Sequence, residues 1–489
     1  MKMDRRLISW MLAFALVVAG SPARAQVVVD MNVRLVPVME HVDLATDLNV
    51  VGDWIYVCTQ PGLLLRKNLT TGSTSDFSVF LDLRSQVGTL GFGIPSLPGL
   101  GYPVAGTYDE RGLLGFAADP AFRSNGRFWV WYSNIGDRSA SPPGFFQWLV
   151  STSDPWDMSQ YDHVDYLVEY RVVSGTPRFQ RTVLKVKRPY FNHTGFQSLV
   201  WSPEHDTLVL GLGDGGSEYD PNNIAQDDAQ LSGKLLKVDL SALEGDFTSA
   251  PPVATFADLR NQGVPADAVT FLVKGLRNPS KTTFEAIGES DDAGGYIKYL
   301  ANTGQDTLEW IHGFIGYGLN FGFRPWEAIF PTSFEVGDTR VISYGLEASR
   351  LPNFYRPLVE YTHLDPDLQP NANTGSTLYR GRGIPGLAGQ LVYTDWISFL
   401  PTGKRGSLLH TAPDRRHLQV VQPTRQFNVD LSAAKTPSQP LFYTSINTDP
   451  SGERIFVGGF KDIQFITNQR NNALGSAGLA GGVYEVKAP

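Results

Sequence analysis

The sequence predicts an all-β protein built from repeated turn-and-strand units. Short apolar runs rich in β-branched and aromatic residues recur along the chain, and each follows a polar turn. Segments with the apolar spacing of an amphipathic helix are scarce. Such a unit cannot bury its apolar faces alone, so several units must pack against one another. Repetition around an axis, as in a β-propeller, achieves this and leaves only short, protected strand edges. The irregular spacing of the units predicts long inter-strand loops, where function should lie.

Four units show this pattern most clearly. The strands that they predict are Trp54–Cys58, Arg127–Tyr132, Thr207–Leu212 and Arg454–Gly458. The long loops are expected at Gln86–Thr107, Ser139–Tyr161, Glu244–Asp267 and Ser333–Arg356. A set of β-sandwich domains is the alternative arrangement, but no linker or change of composition divides the chain.

Composition excludes several classes of protein. Of 489 residues, 42% are hydrophobic and 18% are charged, which indicates a sizeable folded core rather than a disordered chain. The net charge of −8 argues against nucleic-acid binding, which needs a basic surface. The single cysteine, Cys58, excludes a disulfide framework, a cysteine-based zinc site and a covalently attached haem.

The first 25 residues are predicted to be a secretory signal peptide. Lys2, Arg5 and Arg6 form a basic start, an apolar run follows, and small residues precede a cleavage point before Gln26. The apolar run is shorter than the roughly 20 residues needed to span a bilayer. We therefore expect an exported protein, secreted or periplasmic, without a membrane span, and the adjacent arginines leave a twin-arginine route open.

A series of landmarks in the right order resembles the soluble, pyrroloquinoline quinone (PQQ)-dependent glucose/sorbosone dehydrogenase family. The most distinctive is Glu110-Arg-Gly-Leu-Leu-Gly-Phe-Ala-Ala-Asp-Pro-Ala-Phe122. The others are Asn192-His-Thr-Gly with Leu212-Gly-Asp-Gly-Gly216, Leu231-Ser-Gly-Lys-Leu-Leu-Lys-Val-Asp239, Gly275-Leu-Arg-Asn-Pro279, Gly304-Gln-Asp-Thr-Leu-Glu309 with Leu319-Asn-Phe-Gly322, and Tyr379-Arg-Gly381 with Asp449-Pro-Ser-Gly452. The resemblance implies a six-bladed β-propeller, as one domain over residues 26–489.

The resemblance also implies an activity. The family oxidises an aldose sugar or a related alcohol at its C1 hydroxyl to a lactone, and PQQ accepts the hydride. His193 stands at the position of the general base, a task that suits an imidazole neutral near pH 7. The alternative is a loop histidine with an ordinary hydrogen bond. Because no haem attachment motif is present, electrons would have to leave to a separate acceptor.

Cofactor-binding residues follow from the same resemblance. PQQ carries three carboxylates, for which an arginine offers a two-pronged donor. Arg277 and Asn278 match the family's cofactor-contacting pair, Asn192 adjoins the base, and Glu110 and Lys404 are further candidates. Arg277 could equally form a salt bridge at the rim, and Glu110 could cap a tight turn.

Calcium is the second cofactor that the resemblance implies. It prefers carboxylate and carbonyl oxygens, and Asp306 and Glu309 are the nearest equivalents of the family's acidic segment. Asp214 and Asp220 form a second acidic loop, which we expect to be a turn rather than a metal site.

One departure from the family weakens the expectation of PQQ binding. The family's paired arginines would fall near Phe442 and Thr444, and neither residue is cationic. Each lost charge-assisted contact is worth roughly 1.5–3 kcal/mol. Two alternatives therefore stay open: a non-catalytic propeller that binds a glycan or a protein through its loops, and a calcium-assisted propeller hydrolase such as a lactonase.

Overall fold

The computed structural model describes most of the chain, and almost every regular element in it is a β-strand. It covers residues 27–42, 44–88, 109–143, 156–217, 219–288, 295–305, 307–335, 341–344, 353–366, 368–398, 405–434, 441–460 and 481–489. The strands are β1 (Val28–Glu40), β2 (Ala45–Val51), β3 (Trp54–Thr59), β4 (Leu63–Asn68), β5 (Ser78–Asp82), β6 (Leu113–Ala118), β7 (Arg127–Asn134), β8 (His163–Val173), β9 (Thr176–Arg188), β10 (Leu199–Ser202), β11 (Thr207–Leu212), β12 (Lys234–Val238), β13 (Val269–Lys274), β14 (Asn278–Ala286), β15 (Tyr296–Thr303), β16 (Leu308–Phe314), β17 (Leu319–Asn320), β18 (Trp326–Glu327), β19 (Phe330–Glu335), β20 (Val341–Tyr344), β21 (Val359–Thr362), β22 (Asn373–Leu378), β23 (Leu391–Ser398), β24 (Arg405–Thr411), β25 (Arg425–Asp430), β26 (Phe442–Thr448), β27 (Ile455–Phe460) and β28 (Gly481–Lys487). The helices are α1 (Arg84–Val87), α2 (Phe122–Asn125), α3 (Phe256–Asn261) and a 3-10 turn at Ser432–Ala434.

The all-β prediction is confirmed, and so are the four strands that the turn-and-strand pattern predicts. They correspond to β3, β7, β11 and β27, with ends that differ by at most two residues.

Gly126 shows why the turns matter. It ends α2 with a φ of +69°, and a side chain there would collide with the backbone of β8. The chain can therefore reverse and enter β7 directly.

Within the described residues the strands form four separate sheets of four or five strands, an eight-stranded sheet and a three-stranded one. The four are β2-β3-β4-β5, β6-β7-β8-β9, β10-β11-β12-β13-β17 and β14-β15-β16-β21. The eight-stranded sheet has the order β22-β23-β24-β25-β1-β28-β27-β26, and the small sheet is β18-β19-β20. Four separate blades are thus present where six were predicted, because the parallel pairing of β25 with β1 merges the remaining strands into one sheet.

The innermost strands contact one another in a closed ring, which gives the propeller-like arrangement. The ring runs β2, β6, β10, β14, β22, β26 and back to β2. Across it, the Nζ atom of Lys281 on β14 lies 3.2 Å from Oδ1 of Asp47 on β2. A closed ring of this kind does not fit the alternative of separate β-sandwiches.

The hydrophobic core lies between neighbouring sheets rather than in one central mass. One cluster joins Trp129 and Leu167 of the second sheet to Leu210 and Leu236 of the third. A similar cluster joins the first sheet to the second. Every residue of β11 is buried, since this strand has another sheet on each side.

Two predicted loops lie largely outside the described residues, and so does the predicted signal peptide. Of Gln86–Thr107 only residues 86–88 are described, and of Ser139–Tyr161 only the two ends, whereas Glu244–Asp267 carries α3. No helix in the described part of the chain combines the length and the apolar character needed to cross a membrane.

Candidate functional site

A cavity of about 330 Å³ lies at one end of the ring of innermost strands. Each of the six strands, or the loop leading into it, contributes to the lining. These contributions are Thr46, Glu110, His193, Asn278, Thr374 and Thr444. The cavity therefore collects residues that are far apart in the sequence.

His193 lies in this cavity and is held from three sides. Its side chain is 2% exposed, and its Nδ1 atom lies 2.7 Å from Oδ1 of Asp214. Its backbone amide donates to Oε2 of Glu110 at 2.8 Å. Burial and the guanidinium of Arg277 hold the pKa of the imidazole well below its usual value. The ring is therefore neutral near pH 7, and Nε2 is the nitrogen left for a ligand.

Asp214 is the partner of His193, a role that differs from the turn we expected. Its carboxylate is buried and accepts a hydrogen bond from the amide of Gly216 at 2.8 Å, and its Oδ2 atom has no hydrogen-bond partner among the described residues. Burial raises the pKa of Asp214 to about 7. A side chain at Gly216 would collide with Asn192, so the Gly-Gly sequence lets this loop fold close to the base. The Leu-Gly-Asp-Gly-Gly landmark was the available signal for this role.

Glu110 supports the site from behind the base. Its Oε2 atom accepts both the amide of His193 and the Nδ2 group of Asn278, the latter at 2.9 Å. Burial raises the pKa of Glu110, although the charge of Arg277 opposes that rise. Glu110 therefore links the landmark segment of His193 to that of Asn278.

Arg277 and Asn278 lie on the cavity wall beside His193, as the resemblance implied. The Nε atom of Arg277 donates to Oε1 of Gln305 at 2.9 Å, so the guanidinium is oriented by the protein. Asn278 is fixed at its backbone amide, which donates to Oδ1 of Asn302 at 2.9 Å. Neither side chain is more than 7% exposed.

Asn192 also lines the cavity, with its amide turned to the neighbouring loop. Its Oδ1 atom accepts the backbone amide of Ser217 at 2.8 Å. The side chain is only 6% exposed. Its contact with the Asp214 loop supports a role in holding the site.

Glu309 lies outside the cavity lining, behind the wall. Its carboxylate accepts the amides of Gly304 and Asn373 at 3.0 and 2.8 Å, and Nε2 of His363 lies 2.8 Å from it. Calcium at Glu309 would have to replace these partners, and no cluster of three possible metal-binding side chains occurs among the described residues. The predicted metal role stays a prediction, because Asp306 lies outside the described residues.

The described lining fits PQQ in donor chemistry but carries little positive charge. Arg277 and the amides of Asn192 and Asn278 are suitable donors to quinone and carboxylate oxygens. Thr444, near which the resemblance places one of the family's paired arginines, lines the cavity with a neutral side chain. Lys404, the other predicted cation, falls outside the described residues. Arg277 is therefore the single cation of the described lining.

The fold is similar to solved structures of sugar dehydrogenases. The PQQ-bound aldose sugar dehydrogenase of Streptomyces coelicolor matches with a TM-score of 0.53 and 14% identity, over 94% of this chain and 99% of that one. The soluble aldose sugar dehydrogenase of Escherichia coli in its apo form matches with a TM-score of 0.54 and 15% identity, over 94% and 100%. At these identities the likeness shows the fold alone.

Sequence comparison finds a different set of relatives. HIPL1 protein of Arabidopsis thaliana is 27% identical over 321 residues, which cover 58% of this chain and 43% of HIPL1. Human Hedgehog-interacting protein is 28% identical over 137 residues, covering 27% of this chain and 17% of that protein. The chain thus spans less than half the length of these curated relatives. No protein-family model matches the chain.

Proposed function

We propose that the chain is an exported oxidoreductase that oxidises an aldose sugar or a related alcohol at its C1 hydroxyl, with PQQ as hydride acceptor. One observation carries this proposal: a neutral, buried His193, held by Asp214 at 2.7 Å, lines a cavity together with Arg277 and Asn278. Oxidation of an alcohol by hydride transfer requires a base that can take the hydroxyl proton, and His193 can fill this role. The fold of the sugar dehydrogenases supports the same interpretation.

His193 acts as the base in this proposal. When Asp214 is ionised, it accepts a hydrogen bond from the protonated Nδ1 of the imidazole. The lone pair is then on Nε2, where it can meet the substrate hydroxyl. The substrate proton then passes to Nε2. When bound, PQQ supplies the quinone carbonyl carbon that takes the hydride. Arg277, Asn278 and Asn192 would hold it, and Glu110 keeps the base and Asn278 together.

We further propose that the eight-stranded sheet counts as two blades. One half is β22-β23-β24-β25 and the other is β1-β28-β27-β26, and among the described residues β25 with β1 is the one strand pairing between them. With the four separate sheets this gives six blades, which agrees with the six innermost strands of the ring. The export of this domain to the periplasm or the medium, and the transfer of electrons to a separate acceptor, belong to the same proposal.

A non-catalytic propeller that binds a glycan or a protein is the second candidate. The observation that favours it is Thr444, which puts a neutral side chain in the cavity where an arginine would pair with a cofactor carboxylate. The names of the curated relatives, one of them a Hedgehog-interacting protein, also suit a binding role. In this case the cavity would bind its ligand without PQQ.

Two titrations separate the candidates: PQQ and Ca²⁺ followed by glucose, monitored by absorbance, and glucose with and without PQQ, monitored by calorimetry. The oxidoreductase proposal predicts a shift in the PQQ absorbance on binding, followed by its loss when glucose is added. The binding-protein alternative predicts no change of the PQQ spectrum and binding that PQQ does not affect. His193→Gln serves as the control in both titrations.

A further inference from the structure

Arg188, the last residue of β9, is completely buried behind the proposed base. Its NH2 group donates to the backbone carbonyl of His193 at 2.6 Å and to that of Gly213 at 3.2 Å. Its NH1 group donates to Oγ of Ser232 at 2.7 Å, and its Nε atom lies 3.3 Å from Oδ2 of Asp165. The guanidinium therefore joins the base loop to three neighbouring segments.

The backbone of His193 needs such support because it adopts a left-handed conformation. Its φ is +55°, which is unfavourable for a residue with a side chain. The amide of His193 is bound by Glu110, its ring by Asp214 and its carbonyl by Arg188. Charged groups thus hold the residue at both ends of its backbone and at its ring.

We propose that Arg188 is the positioning residue for His193: its guanidinium fixes the backbone carbonyl of the proposed base and thereby its left-handed conformation. The inference rests on His193 as the base of the proposed function. A guanidinium suits this task because its planar fork can donate to two carbonyls and a hydroxyl at once. An ammonium group could replace the charge but not all these contacts.

The charge of Arg188 is balanced away from the cavity. Asp165 is its carboxylate partner, and this residue also lies 3.2 Å from Nε2 of His163 and accepts Oγ of Ser133 at 2.7 Å. His163 contacts Asp162 on its other side, at 2.9 Å. A chain of charged and titratable groups therefore runs through the second sheet to the backbone of His193. Neither of its carboxylates, Asp162 and Asp165, contacts the imidazole of His193.

Four charged or titratable groups act on the imidazole of His193. Arg277 and Arg188 lower its pKa, whereas Glu110 raises it, and Asp214 contacts Nδ1. Loss of the Arg188 charge should therefore make the imidazole easier to protonate. A cation nearby typically shifts a pKa by about one unit or more.

Nitrogen-15 NMR of histidine-labelled protein without cofactor tests this inference. In the wild type we expect His193 to stay neutral from pH 5 to pH 8, with its proton on Nδ1 at pH 8. In Arg188→Gln we expect the pKa of His193 to rise and the Nδ1 proton to be less well defined. The His193→Gln spectrum assigns the resonances.

Two further variants make the result decisive. Arg188→Lys keeps the charge, so the imidazole should stay neutral while the backbone amide shift of His193 changes; this variant also serves if Arg188→Gln does not fold. Arg181→Gln removes a cation that pairs with Glu169 at the other end of β9 and should leave His193 unchanged. An unchanged His193 signal in folded Arg188→Gln and an unchanged amide shift in Arg188→Lys would overturn the inference. Because no cofactor or turnover enters the measurement, its failure is distinct from failure of the proposed oxidoreductase activity.

Discussion

At the scale of single residues, the protonation of Asp214 decides which nitrogen of His193 carries a lone pair. Ionised Asp214 can only accept, so the imidazole proton sits on Nδ1 and Nε2 is free to act as a base. Protonated Asp214 can donate to Nδ1, and the imidazole proton then sits on Nε2. The pKa of Asp214, raised to about 7 by burial, places this change near neutral pH.

The rate of sugar oxidation should therefore rise with pH through about 7. In Asp214→Asn this rise should disappear, because the amide does not titrate, and the rate above pH 8 should fall about a hundredfold or more. Rates measured with saturating PQQ from pH 5.5 to pH 9 test this expectation. Retention of the same pH profile in Asp214→Asn would assign the titration to another group.

Asp220 makes a related prediction for stability. Burial raises its pKa to about 7 from an ordinary value near 3.8, so the folded state binds this proton more tightly than the unfolded state. The stability that this tighter proton binding contributes is fully present below about pH 3.8. It is lost as the pH rises through about 7. A difference of about three units corresponds to about 4 kcal/mol.

Asp220→Asn should consequently reduce the fall in unfolding free energy between pH 4.5 and pH 8. Urea denaturation of both proteins at the two pH values measures this difference. Asp414→Asn, at an exposed site whose pKa is lowered rather than raised, is the control. Equal pH slopes for the Asp220 variant and the wild type would show that Asp220 is not protonated in the fold.

Sequence motifs could predict most of the residues around the base but not their supports. Glu110, His193, Arg277 and Asn278 belong to landmark segments, and the structure brings them together. Asp214 lies 21 residues beyond His193, in a Gly-Asp-Gly sequence that is equally typical of a turn. Its pairing with the imidazole depends on how two loops meet, which spacing alone does not reveal.

At the scale of elements, β1 closes the ring by joining strands from the end of the chain. It pairs antiparallel with β28 and parallel with β25. Neither pairing could be predicted from hydrophobic patterns, because pairing between segments far apart in the sequence leaves no local signal. The strands themselves were predictable, since turn residues and β-branched runs act locally.

Leu35 and Val29 offer a matched test of this closure within β1. Leu35 is fully buried, and Leu35→Ala should lower the unfolding free energy by about 2–5 kcal/mol. Val29 is 55% exposed, and Val29→Ala should change it by less than about 0.5 kcal/mol. Equal effects in chemical denaturation would show that β1 does not pack in solution as described.

The innermost strand β26 carries Thr444 into the cavity, and this position sets the charge of the lining. Thr444→Arg should strengthen PQQ binding by about tenfold to a hundredfold, because one charge-assisted hydrogen bond contributes roughly 1.5–3 kcal/mol. An absorbance titration with PQQ measures the affinity. Thr70→Arg adds the same charge at an exposed turn and should have no effect on PQQ affinity. An equal gain in that control would show that the net charge of the protein, and not a contact at position 444, strengthens binding.

At the scale of the whole molecule, the ring arrangement explains why distant segments meet. The innermost strands end at one cavity, so residues from the loops before β6, β10 and β14 become neighbours. The number of blades is harder to predict, because β25 and β1 pair across what would be the gap between two blades. The resemblance implied six, and the described residues show four separate sheets.

The central claim is that this ring builds a base-assisted oxidation site around His193. Single-turnover reduction of bound PQQ by glucose, followed anaerobically by absorbance, tests it most directly. We expect reduction in the wild type, a rate lower by about a hundredfold to ten-thousandfold in His193→Gln, and an unchanged rate in His417→Gln, which alters an exposed histidine. Reduction at the wild-type rate in His193→Gln, or bound PQQ that no aldose reduces, would contradict the claim.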